Sequence, residues 1–142
     1  MTMTLWRGCI VAVLTAGFAA TASACGYCIE DKMAAVYDYD VVTRAIAQKH
    51  QVVFFAVEGQ MPAGEASRRA LEAIADSAAG VDKGSARVSI ESASLSVAFN
   101  PARAPFADME RSLSRKLAAG GLSVAILRIM DRPAEPKSAG KR

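Results

Sequence analysis

Two cysteines three residues apart carry the most specific chemistry in this sequence. Cys25-Gly26-Tyr27-Cys28 is a CxxC pair, and the remaining cysteine, Cys9, lies in an apolar leader. Three chemistries suit such a pair. Two thiolates can bite one soft metal ion, with the amine of Cys25 as an added nitrogen donor if that residue becomes the chain terminus. The pair can cycle between dithiol and disulfide. It can also form a static disulfide that stiffens the chain end, which an oxidising compartment favours. The redox reading meets two difficulties. A reactive CxxC normally follows a strand and opens a helix, and here nothing precedes Cys25 once the leader is gone. Glu30 and Asp31 follow closely, and nearby negative charge opposes a thiolate while attracting a cation.

Weaker donors lie further along. His50 is the one histidine, and a lone histidine needs partners to hold a metal. Met61 offers a thioether, or a hydrophobic plug from its loop to the core. Met33 and Met109 fit core positions, and Tyr27, Tyr37 and Tyr39 cluster near the cysteines in sequence. No Ser-His-Asp set, paired-carboxylate motif or phosphate-cradling glycine loop is visible, which points to a binding protein and not an enzyme.

The leader sets the compartment. Arg7 precedes an apolar run from Cys9 to Ala20, and Ala22-Ser23-Ala24 closes it with small residues. That order of charge, apolar core and small residues predicts a signal peptide over residues 1–24, and hence a periplasmic or secreted product. The run is short for a membrane anchor, which takes about 20 apolar residues. Cleavage after Ala24 makes Cys25 the first mature residue, as in lipoproteins. The Leu usual three places before a lipidated Cys is Ala22 here, so a soluble product is expected, with membrane attachment only if Cys25 is acylated.

The processed chain suits one domain with one core. Seventeen basic residues against 14 acidic ones, dispersed and with few aromatics, leave no nucleic-acid footprint. Residues 131–142, rich in Pro, Lys, Gly and Ala, read as a solvated, disordered tail.

The elements that must position these residues follow from periodicity. A short helical turn is expected over Glu30–Tyr37, and a second helix, capped by Asp40, through Val42, Ala45 and Ile46. Gln51–Val57 is β-branched and aromatic with both faces apolar, so it predicts a central strand. A loop with Gly59 and Pro62 leads to a helix burying Leu71, Ile74, Ala75 and Ala78, which Gly80 stops. Ala86–Glu91 and Leu95–Phe99 alternate as a hairpin joined at Ser92-Ala93-Ser94. Pro105 opens a helix with Phe106, Met109, Leu113 and Leu117 inward, Gly120-Gly121 ends it, and Leu122–Ile129 is the last strand.

From Gln51 the order is β-α-β-β-α-β, which predicts an α+β, ferredoxin-like sandwich with an added N-terminal helical segment. Right-handed crossovers place both later helices on one sheet face. The other face is expected to carry Val53, Phe55 and Val57, flanked by Ser96, Ala98, Ser123 and Ala125. Either Ile29–His50 covers it or another chain does, a second copy included.

Residues 53–129 resemble a heavy-metal-associated domain, the family of small copper chaperones, metal-ATPase N-terminal domains and the periplasmic mercury-binding protein. The resemblance rests on Val57-Glu58-Gly59, Gly80-Val81, the alternating hairpin and Val97-Ala98-Phe99-Asn100-Pro101. It implies soft-metal binding by a Gly-Met-x-Cys-x-x-Cys loop after the first strand. With one insertion at Gln60, Met61 matches the family Met and the cysteine positions fall on Ala63 and Ala66. A methyl group cannot ligate a metal, so the family site is absent from this loop. The chain therefore divides into a leader (1–24), a CxxC and helical extension (25–50), a heavy-metal-associated-like domain (51–130) and a tail (131–142). The expected function is binding or transfer of Cu(I), Hg(II) or another soft ion by Cys25 and Cys28, with Met61 and His50 as secondary donors. The alternative is a degenerate structural or interaction module, with a disulfide at the pair, no metal and a protein partner.

Overall fold

The computed structural model describes residues 26–131. The leader, Cys25 and residues 132–142 of the tail lie outside the described residues. The elements run α1 (Gly26–Ala34), α2 (Tyr39–Ala47), β1 (Gln51–Glu58), α3 (Glu65–Asp76), β2 (Arg87–Ser89), β3 (Ser94–Phe99), α4 (Phe106–Ala118) and β4 (Ser123–Met130). The four strands form one antiparallel sheet in the order β2-β3-β1-β4. From β1 onward this is the ferredoxin-like βαββαβ arrangement, with β1 and β3 central.

The sheet has a layer on each face. Below α3 and α4 lie Val53, Phe55, Val57, Leu95, Val97 and Phe99, packed on Ala75, Met109, Leu113 and Leu117. Under α1 and α2 lie Val52, Phe54, Ala98 and Met130, packed on Met33, Val36, Val42 and Ala45. Phe54 and Phe55 are both fully buried, which is why β1 shows no polar alternation. The faces of β1 are the reverse of the sequence expectation: Val53, Phe55 and Val57 face α3 and α4, and Val52 and Phe54 face the N-terminal helices. A strand apolar on both sides leaves its register unmarked, and one residue of slip exchanges the faces.

Ile29–His50 does cover the second face, so no open sheet face remains there for a second copy. Ser96 Oγ donates to the Val36 carbonyl at 2.7 Å, and the Tyr37 ring stacks on Phe54 at 6.3 Å and 5°. The small side chains Ser96 and Ala98 permit this close approach. The α1 helix spans Gly26–Ala34 instead of Glu30–Tyr37, and the cap of α2 is Asp38, not Asp40. Ala75 on α3 and Ala78 just beyond it are buried as expected, but Ile74 is exposed.

Candidate functional site

Two places bear on metal chemistry, and the first is the loop from β1 to α3. Gly59 opens it at φ +108, a conformation suited to glycine. A Cβ there would stand 2.7 Å from the Gly121 carbonyl oxygen, so the loop start packs backbone against the turn before β4. Met61 is half-buried and packs on the core beneath α3 and α4. Gly64 is the N-cap of α3, so Ala63 and Ala66 bracket the helix start, both exposed. Glu65, between them, binds Arg68 and Arg69. The Arg68 guanidinium, then that of Arg69, hold the Glu65 carboxyl down to about 2. The loop turns directly into the start of α3, with exposed alanines on either side of that start.

The second place is α1. Its first turn contains Cys28, with Cys25 just before the helix and outside the described residues. One turn beyond Cys28, the Lys32 ammonium donates to the carbonyls of Ser92 and Ala93 at 2.5 and 3.2 Å. Ala93 O also accepts from Val57 N at 2.9 Å. Lys32 thereby pins α1 to the end of the sheet where β1 passes into the Gly59–Gly64 loop. A second tie joins Glu30 to Arg128 of β4 at 3.1 Å. Neither tie was foreseen. Lys32 carries no local signal of its target, which lies 60 residues away in sequence.

The weaker candidates stand apart from this end. His50 Nδ1 lies 2.7 Å from Asp82 Oδ2, just before β1 begins. Met61 lies just after β1 ends, so the eight-residue strand separates the two by roughly 25 Å. A cleft of about 610 Å³ near α2 and the segment after α3 has Arg44, Lys83 and Arg103 on its lining, beside the C-terminal ends of both helices, where cations are favoured. Among the described residues, no three His, Cys, Asp or Glu side chains are grouped to hold a metal ion.

No family model and no curated protein matches the chain. Two solved structures are similar to part of it. Oxidised MerP from Ralstonia metallidurans CH34 is 20% identical, with a TM-score of 0.43, over 56% of this chain and 99% of MerP. A copper binding domain from HMA7, a P-type ATPase, is 22% identical, with a TM-score of 0.44, over 56% of this chain and 96% of that domain.

Proposed function

We propose that the protein binds a soft metal ion, of the copper or mercury type, through Cys25 and Cys28 in the periplasm or outside the cell, and that it is a carrier and not a catalyst. The observation that carries this reading is the start of α1 at Gly26, inside the CxxC. A two-residue spacer lets two cysteines bind one ion. Two thiolates there suit an ion content with low coordination and soft donors, as Cu(I) and Hg(II) are. The helix N-terminus favours the thiolate form. Glu30 would oppose it, but that carboxylate is turned to Arg128. Lys32 sets this helix against the end of the sheet that holds the Gly59–Gly64 loop. The metal is cargo: it enters as the thiols lose their protons and leaves when a partner's donors displace them. Membrane attachment follows only if Cys25 is acylated.

Ala63 and Ala66 favour a second reading, a scaffold that kept the sandwich, lost the loop donors and uses the pair as a disulfide. One titration separates the two. Reduced chain is mixed with Cu(I), Hg(II) or Zn(II) without oxygen, and bound ions are counted by native mass spectrometry. One soft ion per chain, lost in the Cys25→Ser, Cys28→Ser double variant, supports chelation. No uptake by the reduced chain, or equal uptake by the double variant, removes it.

A further inference from the structure

The β4 strand has one partner. Ser123–Met130 pairs with β1, and its outer edge pairs with nothing among the described residues. Natural edges are usually short or guarded by Lys and Pro. This edge is eight residues long and has neither; its guards are one charge and one bulge. Its single charge, Arg128, is held by Glu30. Ile126 and Ile129 lie on it, each 43% exposed.

Residues three apart on a regular strand point to opposite faces. Here they do not, because the pairing slips between Phe54 and Phe55. Phe55 faces Ile126, Phe54 faces Arg128 and Val53 faces Ile129, so Leu127 is the extra residue of a bulge. Phe55 and Val53 both belong to the core beneath α3 and α4. Ile126 and Ile129 therefore share that face, while Leu127 packs toward the layer of α1 and α2.

We infer that β4 pairs antiparallel with β4 of a second copy, extending the sheet across a two-fold axis. The register that sets Ile126 against Ile129 of the second copy also sets Ile129 against its Ile126, joining four isoleucines in one strip. The same register sets Leu127 against Arg128 and Ala125 against Met130. The two Arg128 side chains then lie diagonally across the axis, each with its own Glu30 as counter-charge, and a small side chain meets a large one. Each copy presents the same patch, as a two-fold interface requires. On the α1 side, the incoming Leu127 arrives beside a groove of about 380 Å³ lined by Met33, Tyr37 and Met130. Strand pairing of this length buries less than a standard interface of roughly 1,600 Å², which places the dimer among weak associations, with a Kd on the order of micromolar or above.

Sedimentation velocity of the purified chain under reducing conditions, from about 5 to about 500 µM, spans that range. The wild type is expected to shift from monomer to dimer. The Ile126→Lys, Ile129→Lys double variant, altered at two half-exposed positions, is expected to associate at least tenfold more weakly, roughly the loss of a central contact. Amide exchange on the wild type gives a reading that needs no variant: protection that disappears on dilution should fall on β4. A wild type that stays monomeric throughout overturns the inference, as does undiminished association of the double variant. Dilution-sensitive protection on another element does so too. Cys25 and Cys28 take no part, so the outcome is separate from that of the metal titration.

Discussion

Asp38 joins two elements through its two carboxylate oxygens, and Arg87 is the far partner. Oδ1 accepts from the N–H groups of Asp40 and Val41 at 3.0 and 3.1 Å, capping α2, while Oδ2 accepts from Arg87 Nε at 2.8 Å. Arg87 opens β2, so one side chain starts a helix and ties it to an edge strand. Replacing Asp38 by Ala should remove both functions and lower unfolding free energy by about 1–2 kcal/mol, most of it the cap. Asp38→Asn keeps a good cap and loses only the ion pair, which is about a third exposed, so it should cost less than about 1 kcal/mol. Urea unfolding of the two variants measures the difference. Equal losses would mean that the ion pair, not the cap, is what Asp38 supplies.

Ser96 and Val36 test how firmly the N-terminal layer is held. The Ser96 hydroxyl is buried in the sheet and donates to a carbonyl at the end of the α1 region. Ser96→Ala leaves the Val36 carbonyl buried without that partner, at a cost of about 1–3 kcal/mol. Because the bond spans two layers, hydrogen exchange in α1 and α2 should quicken more than in α3 and α4. Uniform acceleration across all four helices would show that both layers open as one unit.

The legible part of this fold was the part with contrast. The hairpin of β2 and β3, the Pro105 start of α4 and the glycine stops mark themselves by alternation or by backbone need. The order βαββαβ followed from them. What failed to show was set by contacts distant in sequence. Phe54 and Phe55 are chemically alike and both buried, so no local pattern says which faces α1. The Leu127 bulge is likewise invisible in SVAILRIM, where every shift keeps an apolar residue inward. At the candidate site, Cys25, Cys28, Ala63 and Ala66 were legible as residue types. The tie of Lys32 to Ser92 and Ala93, which brings α1 to the loop end of the sheet, depends on tertiary packing alone.

Ala63 and Ala66 allow a gain-of-function test. They flank the N-cap Gly64, one in the loop and one in the first turn of α3, both exposed, so cysteines there meet no packing conflict. Introducing Ala63→Cys and Ala66→Cys into the Cys25→Ser, Cys28→Ser background should give a chain that binds one soft ion per molecule at the loop, since the backbone already turns into a helix between them. Unfolding free energy should change by no more than about 0.5 kcal/mol, as for exposed substitutions. Anaerobic titration followed by native mass spectrometry reads the stoichiometry. Absence of binding would mean that Glu65, held between Arg68 and Arg69, or the inserted Gln60, keeps the two positions from converging.

The pH dependence of stability follows from Asp38 with a definite sign. The Val41 N–H holds its carboxyl below the usual range; burial opposes it, and the Arg87 guanidinium and the Asp40 N–H add to the lowering. A depressed pKa in the folded chain means that the unfolded chain binds the proton more readily, so the stabilisation is complete above the unfolded value near 4 and fades as pH falls through the folded value. Glu65, held at about 2, acts in the same direction, but its full exposure leaves its share small. The stability gap between wild type and Asp38→Asn should therefore be constant from about pH 8 to about pH 5 and close below about pH 4. Raising salt should narrow the gap at neutral pH and raise the pH at which it closes, because screening weakens the Arg87 attraction that helps depress the folded-state pKa, while the hydrogen bonds from Asp40 and Val41 remain. Urea midpoints across that pH series decide it: a gap that widens on acidification would place the ionised carboxylate among the destabilising groups of the fold.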